Sequence, residues 1–264
     1  MTDRPTYDVA PGRNDPIRIV PLFLPDEIVQ PTIDGAAIAA PTAKMTYRGG
    51  PLLTAVEVVT VFWGAAWQSS QAPIAAQINA FFDFILMSAL LDQMKEYSVP
   101  GKSIGHGRRT STVTIAAPAP PASVSDGAIR VFLQHQIASN PGVPRPGPNS
   151  LYFLFLPPGV TVVSGGSKSC QAFCGYHDAI GNQLFYSVEP YPGCNGCRGG
   201  LSPFDALTTT CSHELCEAIT DPIPGQGWYD DAHGEIGDVC AWKTKKLGTY
   251  TIQLEWSNAS NKCV

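Results

Sequence analysis

Two rhythms of apolar residues organise this chain. Ala55 to Trp63 is β-branched and almost continuously apolar, which predicts a strand buried on both faces. From Gln71 to Tyr97 the spacing changes to that of a helix, with Ile74, Ile78, Phe81, Phe82, Ile85 and Ala89 on one stripe. Thr110 to Ala116 reads as a second strand, closed by the turn Pro118-Ala119-Pro120-Pro121. Ser123 or Ser125 then caps a helix through Ile137. Asn140 to Pro148 is a proline-rich loop, and Leu151 to Leu156 a buried strand. Gln183 to Val188 alternates apolar and polar residues and predicts an edge strand. A helix from about Ser202 to Thr220 and a strand from Tyr250 to Trp256 follow. Strands alternating with helices predict an α/β (α+β) domain, a mixed sheet with flanking helices, over residues 46–264. Residues 1–45 are rich in proline and aperiodic, and read as an extended arm or a removable pro-segment.

The chemistry concentrates in the last helix. Cys211-Ser212-His213-Glu214-Leu215-Cys216-Glu217-Ala218-Ile219-Thr220-Asp221 reads His-Glu-x-x-Glu, and Pro222 ends it. At 3.6 residues per turn His213 and Glu217 share a face, with Glu214 beside them and Asp221 one turn on. Leu207, Cys211, Leu215, Ala218 and Ile219 make the rest of the helix apolar. Burying an imidazole and three carboxylates calls for a positive partner, most simply a divalent metal. A surface helix paired by i,i+4 charges is the plain alternative. Downstream, Glu235 and Asp238 stand three apart after Trp228-Tyr229-Asp230-Asp231-Ala232-His233-Gly234.

These two segments resemble the thermolysin-type gluzincins, whose H-E-L-x-H-A-x-T-D helix is followed by N-E-x-x-S-D. The resemblance covers about thirty residues, with Glu217 in place of the second His. It implies a zincin-like active-site helix and a metal held by His213, Glu217 and Glu235. It also implies Glu214 as general base, Tyr229 as transition-state donor, and Asp238, one residue out of register, orienting the free ring nitrogen of His213. Two carboxylate ligands weaken Lewis acidity, so Zn2+ competes with Ca2+ or Mn2+ as the expected ion. His233 is an alternative third ligand, and His177 a possible further ligand or a loop histidine. In zincins an extended peptide adds beside an edge strand, the place expected here for Gln183 to Val188.

A second resemblance spans roughly residues 45–264. Tyr47-Arg48-Gly49-Gly50-Pro51-Leu52-Leu53-Thr54, Val58 to Gly64, Cys170-x-x-x-Cys174-Gly175-x-His177, Phe185-Tyr186 and Cys194-x-x-Cys197 look like the plant phosphate-induced, exordium-like family and its bacterial and fungal relatives. That likeness implies an extracellular, cysteine-stapled domain and establishes no activity.

All eight cysteines, Cys170, Cys174, Cys194, Cys197, Cys211, Cys216, Cys240 and Cys263, lie beyond position 169. An even number crowded together predicts disulfides formed in an oxidising compartment. The competing reading is a four-thiolate zinc site from Cys170, Cys174, Cys194 and Cys197. Cys211 and Cys216 stand about 140° apart on a helix and do not easily bridge each other, so each needs a distant partner, or Cys216 is simply a buried thiol. Cys240–Cys263 is the preferred single pairing. Secretion is the expected localisation. The opening residues Met1-Thr2-Asp3-Arg4-Pro5 have no basic or apolar leader, so either a signal was removed, or export uses another route, or the protein is intracellular with free thiols; the first is the expectation.

Only 15% of the 264 residues are charged and the net charge is −5, which argues against nucleic acid as partner. The most apolar run, Ala80 to Leu91, is interrupted by Asp83 and is too short to span a bilayer. The expected function is therefore a secreted metal-dependent peptidase with a peptide or protein substrate. The alternative is a non-catalytic extracellular interaction protein with a structural metal. A glycoside hydrolase using Glu214 and Glu235 ranks last, because no aromatic groove supports it.

Overall fold

The computed structural model describes residues 19–23 and 43–264. Its centre is a six-stranded mixed sheet. The strands are β1 (Ile19–Pro21), β2 (Glu57–Trp63), β3 (Arg108–Ile115), β4 (Ser150–Phe155), β5 (Phe173–Ile180) and β6 (Leu184–Glu189). In space they run β1-β5-β6-β4-β2-β3. β3, β2, β4 and β6 are mutually parallel, while β5 is antiparallel to both β6 and β1.

Alternation along the central strands divides the core in two. Val59, Val61, Trp63, Tyr152 and Leu154 face helix α3 (Asp126–Ser139), where they meet Ile129, Phe132, Leu133 and Ile137. Val58, Phe62, Leu151, Phe153 and Phe155 face helices α1 (Ala72–Ile85), α2 (Ala89–Met94) and α4 (Pro203–Thr220). Both faces of the sheet are covered, which is why the central strands read as unbroken apolar runs. Each fully buried Phe or Leu contributes about 1.5–3 kcal/mol relative to exposure. The expected α/β architecture is thus present, as three layers.

Three elements depart from the sequence expectation. The helix predicted from Gln71 to Tyr97 is two helices bent by 50°. The Ser88 hydroxyl donates to the Ile85 carbonyl at 2.8 Å and accepts from the Leu90 amide at 3.2 Å, so it caps α2 instead of continuing α1. β6 is internal, not an edge, and all six of its residues are buried. Its two hydroxyls find partners within the core: Tyr186 donates to Asp126 (2.6 Å) and Ser187 to Glu189 (2.9 Å). Polar alternation here reflects internal pairing, not solvent. The strand expected from Tyr250 to Trp256 stops at Gln253. β7 (Thr244–Leu247) and β8 (Tyr250–Gln253) form a hairpin, and Trp256–Ser257 pairs separately with Lys262–Cys263. No single helix among the described residues is long and apolar enough to cross a membrane.

Most of the arm or pro-segment expected over residues 1–45 lies outside the described residues. Within it, Ile19–Pro21 is the β1 edge strand, antiparallel to β5 with Ile19 opposite Tyr176, and its Ile19 and Val20 side chains are buried.

Three disulfides pin the C-terminal half: Cys170–Cys194, Cys174–Cys197 and the expected Cys240–Cys263. The first two consume the four thiols of the alternative zinc site. Cys211 and Cys216 are free and buried, so neither joins the disulfide framework and Cys216 is the buried thiol of the alternative reading. They lie inside α4, packed in the apolar core between the helices and the sheet.

Candidate metal centre

α4 starts where Ser202 accepts from the Asp205 amide at 3.1 Å, with Pro203 in its first turn. It then runs through the core, with every residue from Ala206 to Thr220 buried. It packs on β5, β6 and β8. That placement brings His213, Glu214 and Glu217 against His177 of β5, Gln253 of β8, and the Glu235–Asp238 segment. His177 is 1% exposed; His213, Glu214, Glu217 and Glu235 are 0% exposed.

His177 is the hub. Its Nδ1 is 2.9 Å from Glu214 Oε2 and 3.6 Å from Glu217 Oε2. Its Nε2 is 3.1 Å from the Asp221 backbone carbonyl and 3.5 Å from Glu235 Oε1. The expectation of a loop histidine is corrected: the residue sits mid-strand in β5, inside the core.

His213 sits on the other side of Glu217. Its Nε2 is 3.0 Å from Glu217 Oε1, and that oxygen accepts a hydrogen bond from the Asp238 amide at 3.1 Å. Asp238 was expected to orient the ring through Nδ1. Instead Gln253 Nε2 stands 2.8 Å from His213 Nδ1, and the Asp238 carboxylate accepts from the Glu235 amide at 2.9 Å. Asp238 thus shapes the turn that presents Glu235. The turn lies so close that a Cβ on Gly237 would come within 2.8 Å of both Glu217 Oε1 and His213 Nδ1, so only glycine fits.

Asp221 is near the cluster but acts locally. Its carboxylate accepts from the amides of Gly225 (2.6 Å), Gln226 (3.0 Å) and Gly227 (2.5 Å), holding the turn after α4. Burial raises its pKa to about 6, against the lowering effect of those amides.

Burial also raises the pKa values of Glu214 and Glu235, the latter well above the carboxylate range. For His177 and His213 burial works against the charge, but the surrounding carboxylates outweigh it and the net shift is upward. Both directions express one imbalance: more negative groups than this dry core holds without a cation. The hydrogen bonds tell the same story. Glu214 Oε1, Glu217 Oε2, both Glu235 oxygens and His213 Nε2 are buried with no hydrogen-bond partner. Ligand atoms of His177, Glu214 and Glu217 lie within 4.8 Å of one another, as do those of His213, Glu217 and Asp238. Imidazole and carboxylate oxygens are the donors that Zn2+ or Mn2+ takes, and orphaned buried oxygens are what such an ion satisfies. The residues fit a divalent ion.

The remaining expected site residues lie elsewhere or play other parts. Tyr229 pairs with Thr46 in a two-residue strand, and the Arg48 guanidinium lies 4.6 Å above its ring. His233 Nδ1 is held by Asp230 at 2.8 Å, and the ring lines a separate open cavity with Lys243 and Trp256. That position leaves His233, the alternative third ligand, apart from the cluster. Gln253, Glu189 and Glu255 escaped the sequence reading. Glu189 and Glu255 are buried acids, the first with Oε2 unpartnered and the second with neither oxygen partnered, and burial raises the pKa of each. The sequence signal for them was a lone acid beside apolar strand residues.

Comparison with family models finds no match, and comparisons with curated proteins and with solved structures find none either.

Proposed function

We propose that this chain is an extracytoplasmic metal-dependent hydrolase that cuts peptide bonds. The reading rests on one observation: two imidazoles and the carboxylates of Glu214, Glu217 and Glu235 converge in the core with unpartnered atoms facing one another. Such groups are costly to bury, and clustered perturbed acids and bases mark functional sites. Glu217 and Glu235, with an imidazole, would hold the ion: Zn2+, with Ca2+ or Mn2+ as the harder alternatives. When bound, it would lower the pKa of a water towards ~7.

The chain's own groups then have distinct tasks. Glu214 keeps Oε2 on His177 and has Oε1 without a partner, so Oε1 is the atom that takes and returns a proton. Burial raises its pKa, the direction that favours a proton acceptor strong enough for that exchange. The substrate is a peptide or protein; a chain of net charge −5 is poorly suited to nucleic acid. Three disulfides suit an oxidising, extracytoplasmic compartment, and secretion is the simplest route there.

One observation favours a second reading. Every proposed ligand is at most 1% exposed, and closed sites are the habit of structural ions. In that reading the protein is a non-catalytic extracellular module stapled by its metal.

Elemental analysis of the purified protein, paired with a peptide-library digest, separates the two. One equivalent of metal with chelator-sensitive cleavage, lost in Glu214→Gln while metal is retained, supports the hydrolase. Bound metal that raises Tm without any cleavage supports the staple. No bound metal, even after dialysis against Zn2+, Mn2+ or Ca2+, ends both.

A further inference from the structure

Two residues hold a backbone conformation that their side chains resist, and both line one groove. Among the described residues, four that are not glycine have positive φ. Asn182 and Asn261 tolerate it; the other two are Cys170 (φ 63°) and Trp242 (φ 64°). Such strain persists only where the surroundings impose it, and it gathers at ligand clamps. Cys170 and Trp242 pack on one small cluster with Cys174, Cys194 and Cys197, and what fills that cluster is Val20 and Leu22 of the N-terminal segment.

We propose that this groove is a peptide-binding site, that it takes an extended apolar peptide, and that Ile19–Phe23 is such a peptide bound in cis. Its floor is the outer edge of β5, to which β1 adds antiparallel. One wall is the short helix Asn195–Arg198 with Gly199, and the other is Trp242. Main-chain recognition comes from all three. β1 pairs with β5 between Tyr176 and Phe173, the Gly196 carbonyl accepts from the Phe23 amide at 2.6 Å, and Trp242 Nε1 donates to the Pro21 carbonyl at 2.8 Å. Such contacts give affinity for an extended chain, and pockets give selectivity. Val20, 1% exposed, packs on the Cys174–Cys197 disulfide. A Cβ on Gly196 would come within 3.2 Å of Leu22, and one on Gly199 within 3.1 Å of the Phe23 ring. These two glycines therefore make room for a leucine and an aromatic ring, which stands edge-on to Trp242 with centroids 5.8 Å apart.

The groove is built without its occupant. Cys170–Cys194 and Cys174–Cys197 fasten the short helix to β5 and the turn before it. Gln253 Oε1 accepts from the Trp242 amide at 3.1 Å and fixes the other wall. A site preorganised in this way avoids the cost of ordering on binding. Ile19–Phe23 joins the rest of the domain only through residues 24–42, a stretch that can span about 60 Å if extended. The segment can therefore leave the edge while the walls stay in place.

β1 also touches α4 and the turn Asp238–Cys240. Ile19 lies opposite Tyr176, so in the same register a peptide one residue longer at its N-terminal end lies opposite His177. In the hydrolase reading, on which this step alone rests, a peptide in the groove runs alongside the cluster and the tethered segment keeps substrate out.

The test uses the full chain, in chelator, and a fluorescent peptide copying residues 19–23. A tethered competitor acts at an effective concentration on the order of millimolar, so the wild type should bind the free peptide weakly. Val20→Asp sets a charge against the disulfides and should release the segment. That variant should bind the peptide at least about 10-fold more tightly than wild type, and adding Trp242→Ala should abolish the gain. A Val20→Asp protein that unfolds cooperatively in urea yet binds no better than wild type overturns the proposal. Amide exchange of the wild type decides the matter even where the variant fails to fold. The Phe23 amide should exchange at least about 100-fold faster than the β5–β6 ladder, because a bound segment releases without global unfolding. Equal protection would make β1 a fixed strand and overturn the proposal. No metal enters either measurement, so failure of the groove leaves the ion-binding proposal standing, and a chain that binds no ion keeps its groove.

Discussion

Gln253 Nε2 lies 2.8 Å from His213 Nδ1 and 3.0 Å from the Gly237 carbonyl, and so ties the β7–β8 hairpin, α4 and the Glu235–Asp238 turn at one amide. Three segments distant in sequence meet at a residue that makes no ionic contact of its own.

That junction sets the first prediction. Gln253→Leu leaves His213 Nδ1 and the Gly237 carbonyl without their donor in a fully buried place, which costs about 1–3 kcal/mol. Gln253→Glu should cost more, because it adds a carboxylate against the Gly237 carbonyl and among existing buried acids. Urea unfolding of the three proteins, metal-free, measures both. A Gln253→Glu protein as stable as wild type would mean that the amide is turned the other way and His213 carries its proton on Nδ1.

The second prediction concerns Glu255, which is fully buried with both oxygens unpartnered. Burial raises its folded pKa well above the ordinary carboxylate value. An acid with a raised folded pKa binds its proton more tightly when folded. Its contribution is therefore present at low pH and lost as pH rises from the unfolded value through the folded one. Metal-free protein should lose stability from mildly acid to neutral pH, and Glu255→Gln should flatten that slope by removing one ionisation. Urea midpoints across that range, wild type beside variant, give the comparison; identical slopes would mean that Glu255 binds its proton equally well folded and unfolded.

How much of this was legible beforehand depends on which force places each residue. α4 was readable because its cap, its proline stop and its His-Glu-x-x-Glu spacing are all local. The sandwich was readable because β2 and β4 carry unbroken apolar runs. His177 was harder, since strand pairing and not periodicity brings β5 beneath α4. Gln253 gave no signal: an amide in a short strand looks the same whether it faces solvent or an imidazole. β6 misled because its Tyr and Ser find partners inside the core. Of the cysteines, only the Cys240–Cys263 pairing was singled out in advance. The interleaved pairs Cys170–Cys194 and Cys174–Cys197 depend on how β5 meets the short helix Asn195–Arg198.

The third prediction joins stability to the site through Cys240–Cys263. This bridge spans 23 residues, and a loop of that length corresponds to about 3 kcal/mol of chain entropy removed from the unfolded state. Cys240→Ser with Cys263→Ser should lose that much, seen as a lower urea midpoint. The bridge also has a local effect. Cys240 closes the short helical turn Asp238–Cys240, directly after Glu235 and the Asp238 amide that holds Glu217 Oε1. Freed from the C-terminus, that turn should fray, and Glu235 and Glu217 should lose their fixed positions. The double variant is therefore expected to bind Zn2+ about 10–100-fold more weakly, the size seen when partners of metal ligands are removed. Titration calorimetry at a temperature where the variant is still folded isolates this effect from unfolding. Unchanged affinity beside a lowered urea midpoint would confine the bridge to stability and show that the Glu235 turn holds its shape through Asp238 and Gly237 alone.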